Sequence, residues 1–137
     1  MTWDLTEYER MDDMGYRSDV RALFYTTHKE DLPVLKLYMD ENFPKDELFF
    51  ELEEIGSNVI YGYEVVLEQV KWYESYEYVK AFEAFKTKYL VLIDKQEDGK
   101  KWKFEFVRVG EDADDIEFKQ NNSAYVLSVS RKIEADY

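Results

Sequence analysis

Hydrophobic residues between positions 30 and 42 recur three or four positions apart. They are Leu32, Leu35 and Met39, and this spacing places their side chains on one face of a helix. Pro44 follows shortly afterwards and cannot continue a helix. The pattern therefore predicts a helix over residues 30–42.

A second helical pattern extends over residues 75–88. Tyr78, Phe82 and Phe85 form its apolar stripe, and Ser75 precedes them as a helix cap. Acidic residues stand near the start of this stretch and lysines near its end, which is the arrangement that the helix dipole favours. We predict a second helix here.

The stretch between these two patterns, residues 46–72, fits two interpretations. Alternation places Leu48, Phe50 and Leu52 on one face of a strand, but both halves of the stretch also contain helical spacings. A Gly-Ser-Asn turn at 56–58 separates two apolar runs, and the second run is rich in Val, Ile and Tyr. This favours a β-hairpin, and a helical stretch is the open alternative.

The last third of the chain alternates between apolar and polar residues in the way that an antiparallel sheet does. Four strands are predicted, at residues 89–95, 101–109, 116–119 and 125–131. Short turns, Asp98-Gly99 and residues 120–123, join them in pairs. The sequence thus predicts an α+β fold in a single domain over residues 1–137, with an antiparallel β-meander in the C-terminal half packed against one or two helices.

Composition excludes several classes of function. The 137 residues contain no cysteine and one histidine, His28, so disulfides, cysteine nucleophiles and cysteine metal sites are excluded and a catalytic triad has only one residue for its base. The sequence contains neither a glycine-rich phosphate-binding loop nor a G-x-S-x-G motif. A binding protein is therefore favoured over an enzyme, and no cofactor is expected.

Acidic residues dominate the charge of the chain and are concentrated in one stretch. The 31 Asp and Glu outnumber the 18 Lys and Arg, for a formal net charge of −13, and nine acids but one base, Lys71, lie within residues 46–77. Tyr and Trp stand among these acids, and an arginine of a partner can both pair with carboxylates and stack on rings. We predict a surface for a basic protein, formed by Glu51, Glu53, Glu54, Glu64, Glu68, Trp72, Tyr73, Glu74, Tyr76 and Glu77.

The same charge repels nucleic-acid phosphates, so direct binding to nucleic acid is not expected. The predicted function is that of a small acidic inhibitor, of the immunity or anti-defence type, which occupies the basic groove of a nucleic-acid-binding or nuclease-type partner as a nucleic-acid mimic. The alternatives are a domain that binds a nucleotide or sugar in an aromatic-lined pocket, or an enzyme with paired carboxylates. Homo-oligomerisation through strand edges also stays open.

Two further features bear on metals and location. Asp112, Asp114 and Asp115 are the candidate ligands for a Ca²⁺ or Mg²⁺ ion, but Glu117 stands where an EF-hand loop requires glycine, so we interpret this stretch as an acidic loop without a metal. The N-terminus lacks the features of a secretory signal, and the longest aliphatic block, residues 90–93, is far shorter than the ~20 residues of a membrane span. We expect a cytoplasmic protein without a membrane segment.

Overall fold

A five-stranded antiparallel sheet forms the middle layer of this computed structural model, which describes residues 15–97, 102–122, 126–129 and 133–136. Its strands are β1 (Ser18–Thr26), β2 (Glu53–Gly56), β3 (Tyr61–Val70), β4 (Lys103–Gly110) and β5 (Ile116–Asn121). Their order is β2-β3-β1-β4-β5, so β1 is the central strand. The chain is an α+β protein with antiparallel strands in its C-terminal half, as the sequence predicts, although β1 is absent from the predicted strands.

Two helices, α1 (Leu32–Asn42) and α2 (Glu77–Asp94), pack on one face of the sheet. Both predicted helices are confirmed, although Tyr76 and not the predicted Ser75 is the N-cap of the second. The predicted strand at residues 89–95 is wrong because α2 continues through it. Tyr89 and Ile93 are fully buried and extend the apolar stripe of the helix at spacings of four residues. Neither helix has the length and hydropathy that a bilayer-spanning helix requires.

The hairpin predicted between residues 46 and 72 is confirmed by the antiparallel pairing of β2 with β3. In its turn, the hydroxyl oxygen of Ser57 accepts hydrogen bonds from the backbone N–H groups of Val59 and Ile60, both at 3.0 Å. β2 is shorter than the predicted strand: a 3₁₀ turn at residues 45–47 and an irregular segment at 48–52 precede it, and the strand begins at Glu53. The helical alternative for this stretch is wrong.

The C-terminal strands pair differently from the predicted hairpins. β5 pairs with β4, whereas β6 (Leu127–Val129) pairs with β7 (Ile133–Ala135) in a separate two-stranded sheet. The predicted pairing of residues 116–119 with 125–131 is therefore wrong: β5 is the edge strand of the large sheet, and β6 takes β7 as its partner instead. The predicted turn at Asp98-Gly99 lies outside the described residues.

The central strand is buried on both faces. On the helix side, the Phe24 ring lies 5.0–5.3 Å from those of Phe85, Tyr89 and Phe104. On the opposite face, Leu23 and Tyr25 belong to a second hydrophobic cluster, which includes Val126 and Leu127 at the start of the small sheet. β1 is thus the strand on which both hydrophobic clusters converge.

A buried carboxyl group attaches the small sheet to the large one. Glu105 of β4 is fully buried, and its oxygens accept hydrogen bonds from the Tyr25 hydroxyl and from the backbone N–H groups of Val126 and Leu127, the latter two at 3.2 and 2.9 Å. All three partners are donors, which matches the acceptor capacity of a carboxylate. Glu105 thereby satisfies backbone groups that would otherwise be buried without a partner.

We predict that Glu105→Gln lowers the free energy of unfolding by about 2 kcal/mol, because the amide of Gln presents N–H donors to groups that are themselves donors. Urea unfolding of the full chain measures the change, and hydrogen exchange at the Val126 and Leu127 amides should become faster. Glu68→Gln, at an exposed position of β3, is the matched control. Equal urea midpoints for the two variants would contradict the assigned role of Glu105.

Candidate partner-binding surface

Phe49 is the most exposed aromatic side chain of the apolar segment that precedes β2. It is 63% exposed, whereas its neighbours Leu48 and Phe50 are buried. Its ring makes edge-on contacts with those of Phe50 and Tyr78, at centroid distances of 5.1 and 4.8 Å. Sequence reasoning missed Phe49 as a site residue, although the alternation that turns Leu48 and Phe50 inward also turns Phe49 outward.

The Phe49 ring is the first of four rings in contact, which we call the aromatic strip: Phe49, Tyr78, Tyr76 and Tyr73. Successive ring centroids are 4.8, 5.7 and 5.0 Å apart. The strip is anchored at both the Tyr78 and the Tyr73 positions, because the Tyr78 hydroxyl donates to the Lys71 carbonyl and the Tyr73 hydroxyl oxygen accepts from the backbone N–H of Tyr16. The predicted anchors Tyr73 and Tyr76 therefore lie on one half-buried aromatic surface.

Several exposed carboxylates lie around the segment that carries Phe49, and we call three of them the acidic rim: Asp40, Glu51 and Glu54. Asp40 and Glu51 line the same cavity as Phe49. Glu54 stands opposite Tyr63 in the β2–β3 register. Burial raises the pKa of Tyr63, and the negative charges of Glu54 and Asp40 raise it further, so the field of the rim reaches the floor of that cavity.

The other predicted acids of the hairpin lie on the opposite face of the sheet. Glu53 stands directly across from Glu64, and Glu68 is exposed further along β3. Glu64 is paired with Arg21 at 2.8 Å, and its side chain is only 12% exposed. This ion pair relieves the repulsion between Glu53 and Glu64, so Glu64 contributes less to the outward field than its neighbours do.

The remaining predicted residues lie where the chain enters α2. Trp72 packs its ring against Phe82 and Phe106, at 5.5 and 6.1 Å, and is part of the wall of the core. Glu77 lies in the first turn of α2 and its carboxylate is 3.6 Å from the ammonium group of Lys80, an exposed pair that adds little stability. Glu74 is exposed and borders a second cavity.

That second cavity, about 480 Å³ in volume, contains charges of both signs that pair with each other. Arg108 donates to both carboxylate oxygens of Asp115, at 2.7 and 3.0 Å, and to Glu117 at 3.2 Å. Glu117 is in turn 2.9 Å from the ammonium group of Lys119. The Tyr16 hydroxyl completes the network by donating to Asp115 at 2.6 Å.

These contacts determine the protonation of the network. The Arg108 guanidinium, followed by the Tyr16 hydroxyl, lowers the pKa of Asp115 to about 2, and the bond to Asp115 raises the pKa of Arg108. Burial acts to raise the pKa of Glu117, but Lys119 and Arg108 together lower it. Both carboxylates are therefore held ionised, which is the opposite of what a general acid in this cavity requires.

The candidate metal ligands lie in the loop between β4 and β5. Asp112 and Asp114 are exposed, whereas the Asp115 carboxylate is occupied by Arg108 and Tyr16. Within the described parts of the chain, no three His, Cys, Asp or Glu side chains are grouped closely enough to hold a metal ion.

We predict that the Arg108–Asp115 pair makes stability depend on acid pH. The pKa of Asp115 in the folded chain, about 2, lies below the value near 4 expected for an unfolded chain, so the pair stabilises the fold above about pH 4 and this contribution is lost as the pH falls towards 2. Asp115→Asn should lower the melting temperature at pH 6 and flatten its decline between pH 4 and 2, compared with the control Asp114→Asn. A decline as steep as in the parent chain would contradict this assignment.

Comparison with known proteins does not place the chain in a family. No protein-family model, curated protein or solved structure matches it. We therefore infer its function from the surface around Phe49 and from the chemistry of the two cavities.

Proposed function

We propose that this protein binds a basic protein partner through the aromatic strip and the acidic rim. The observation that carries the proposal is the exposed Phe49 ring, which is 63% exposed and lines a cavity together with the carboxylates of Asp40 and Glu51. Aromatic anchors surrounded by polar groups are typical of the residues that dominate the binding energy of protein interfaces. An exposed carboxylate or an exposed ring alone is common on protein surfaces and would not support a binding site; the proposal depends on their combination.

The chemistry of this surface favours arginine-rich partners. A guanidinium group pairs with carboxylates and also stacks on aromatic faces. Both kinds of contact are offered at the Phe49 end of the strip, beside Asp40 and Glu51, whereas Tyr76 and Tyr78 share a separate hollow with Arg17 and Lys71. The net charge of −13 adds a long-range attraction for a basic partner, which raises the association rate at low salt.

The hairpin shape supports the more specific hypothesis of an inhibitor that enters a basic groove. β2 and β3 lie at one edge of the sheet and bear acids on both faces, with Glu54 on one side and Glu53, Glu64 and Glu68 on the other. Exposed carboxylates on both sides of this edge match a groove that is lined with Lys and Arg on two walls. Such grooves hold nucleic acid in nucleases and related proteins, and this protein would displace that nucleic acid.

The alternatives from the sequence have less support from the cavities. At the larger cavity, the side chains of Arg108, Asp115, Glu117 and Lys119 are paired with one another. The ionised carboxylates of Asp115 and Glu117 do not suit acid catalysis. The smaller cavity, at about 320 Å³, is near the lower end of the volumes typical of ligand pockets, which start at roughly 300 Å³. A nucleotide- or sugar-binding domain and a carboxylate enzyme therefore rank below the protein-binding proposal.

We expect the double variant Glu51→Lys/Glu54→Lys to slow association with the partner by about tenfold at low salt. The partner is first isolated on the immobilised parent chain and eluted with rising salt, and its association rate is then measured by biolayer interferometry at several salt concentrations. The salt dependence should also become shallower, because the acids that steer the encounter have been reversed.

The matched control is Asp94→Lys/Glu97→Lys, which changes the net charge by the same amount. Both residues are exposed. Asp94 is the last residue of α2, roughly 24 Å along the helix from Tyr78, and Glu97 follows it. If both double variants slowed association equally, the effect would come from the overall charge, and this would contradict the proposed surface.

A second experiment tests the inhibitor hypothesis. The parent chain should release a fluorescent DNA oligonucleotide that is bound to the partner. A stable ternary complex would contradict the hypothesis.

A further inference from the structure

The cavity beside Phe49 combines an apolar floor with a charged entrance. It has a volume of about 320 Å³ and lies between α1, the segment that precedes β2, and β3. Phe43, Leu48 and Phe50 are buried residues of its lining. Asp40 and Glu51 also line it and are exposed, so the cavity is apolar inside and mainly acidic at its opening.

A buried hydroxyl group in this lining has no partner. Tyr63 is 7% exposed, and its hydroxyl oxygen is buried without a hydrogen bond to any of the described residues. Buried polar groups in folded proteins are nearly always hydrogen-bonded, and one that is not suggests a missing partner. Tyr63 lines the cavity, but its hydroxyl oxygen has almost no exposed surface. This unused hydrogen-bonding position therefore lies in the wall of the cavity, and a ligand reaches it when a lining side chain shifts.

The charges around Tyr63 select the kind of group that would pair with it. Besides burial, the carboxylates of Glu54 and Asp40 raise its pKa, which means that the potential at the hydroxyl is negative. A cationic donor is favoured in such a field, and an anion is repelled. Lys45 is the one base in the lining, against the two acids Asp40 and Glu51.

We propose that this cavity receives an arginine side chain of the basic partner, with the aliphatic stem against Phe43 and Phe50 and the guanidinium between the Tyr63 hydroxyl and the acidic rim. Guanidinium has several N–H donors in a fixed plane and so can serve a hydroxyl and a carboxylate at once. The cavity also suits the size of one side chain rather than a nucleotide. This inference rests on the proposed function, because the arginine is presented by the partner of that surface.

The proposal can be tested without the partner. N-acetyl-arginine-N-methylamide is titrated into the ¹⁵N-labelled full chain, and amide shifts are followed by NMR. We expect saturable shifts at residues 48–52 and at Tyr63, with a dissociation constant of roughly millimolar order for so small a probe. The citrulline counterpart has nearly the same shape but no charge, and it should bind about tenfold more weakly.

The variant Tyr63→Phe should weaken binding of the arginine probe by about threefold or more, since it removes the unused hydroxyl. Tyr38→Phe is the matched control, because the Tyr38 hydroxyl is also buried without a partner among the described residues but does not line this cavity. The NMR spectrum and thermal unfolding of each variant establish that the fold is retained. Equal binding of arginine and citrulline probes, or equal effects of the two Tyr variants, would overturn the proposal.

The outcome also separates this inference from the proposed function. If Glu51→Lys/Glu54→Lys slows association with the partner but the arginine probe causes no amide shifts at the cavity, the proposed arginine site is wrong. The proposed binding surface is then still supported. If the probe binds at the cavity but the charge reversals leave the association rate unchanged, the assignment of the surface to the partner is wrong, and with it the source of the arginine.

Discussion

Burial of both faces of β1 is the constraint on which the rest of the structure depends. Phe24 is surrounded by rings of α2 and β4 on one side, and Leu23 and Tyr25 are covered by the start of the small sheet on the other. A strand with apolar residues on both faces is stable only if a separate layer covers each face. The helices supply one layer, and residues 126–129 and 133–136 supply part of the other, held there by Glu105.

This arrangement explains why the acidic and aromatic surface lies at an edge of the sheet. The centre of the sheet is covered on both faces, so side chains that contact solvent are carried mainly by the β2–β3 edge, the β4–β5 edge and the outer faces of the helices. At the β4–β5 edge the cation Arg108 pairs with the acids Asp115 and Glu117. Exposed carboxylates occur at both edges, with Glu51, Glu53 and Glu54 at β2–β3 and Asp112 and Asp114 in the β4–β5 loop. The β2–β3 edge differs because Glu51 shares a cavity with the exposed Phe49 ring.

Sequence patterns predicted the elements that depend on local spacing and missed those that depend on distant pairing. The helix over residues 30–42 and the start of α2 follow from apolar residues three or four positions apart. β1 was not predicted because residues 22–25 are continuously apolar. This is the pattern of a strand that is covered on both faces, and it contains no alternation of apolar and polar residues. The partner of β5 could not be predicted either, since both β4 and residues 125–131 offered an alternating strand.

The candidate site was predictable in its residue types but not in its geometry. The density of Glu between positions 46 and 77 indicated an acidic surface, yet only the β2–β3 register separates Glu53 from Glu54 onto opposite faces. Phe49 was recoverable from the alternation of its neighbours. The unpartnered hydroxyl of Tyr63 was not recoverable, because it depends on α1 and the segment before β2 closing over β3.

The most direct test of the binding surface compares Phe49→Ala with Phe118→Ala. Both side chains are exposed, by 63% and 40%. Phe49 precedes β2 at one edge of the sheet and Phe118 lies in β5 at the other edge, and the five strands span about 19 Å at a spacing of roughly 4.8 Å. The measurement is the dissociation constant of the isolated partner for each variant, with the melting temperature as a check of folding. We predict that Phe49→Ala weakens binding by at least about tenfold, mainly through faster dissociation, and that Phe118→Ala leaves it nearly unchanged. Parent-like affinity of Phe49→Ala, or an equal loss in both variants, would contradict the account.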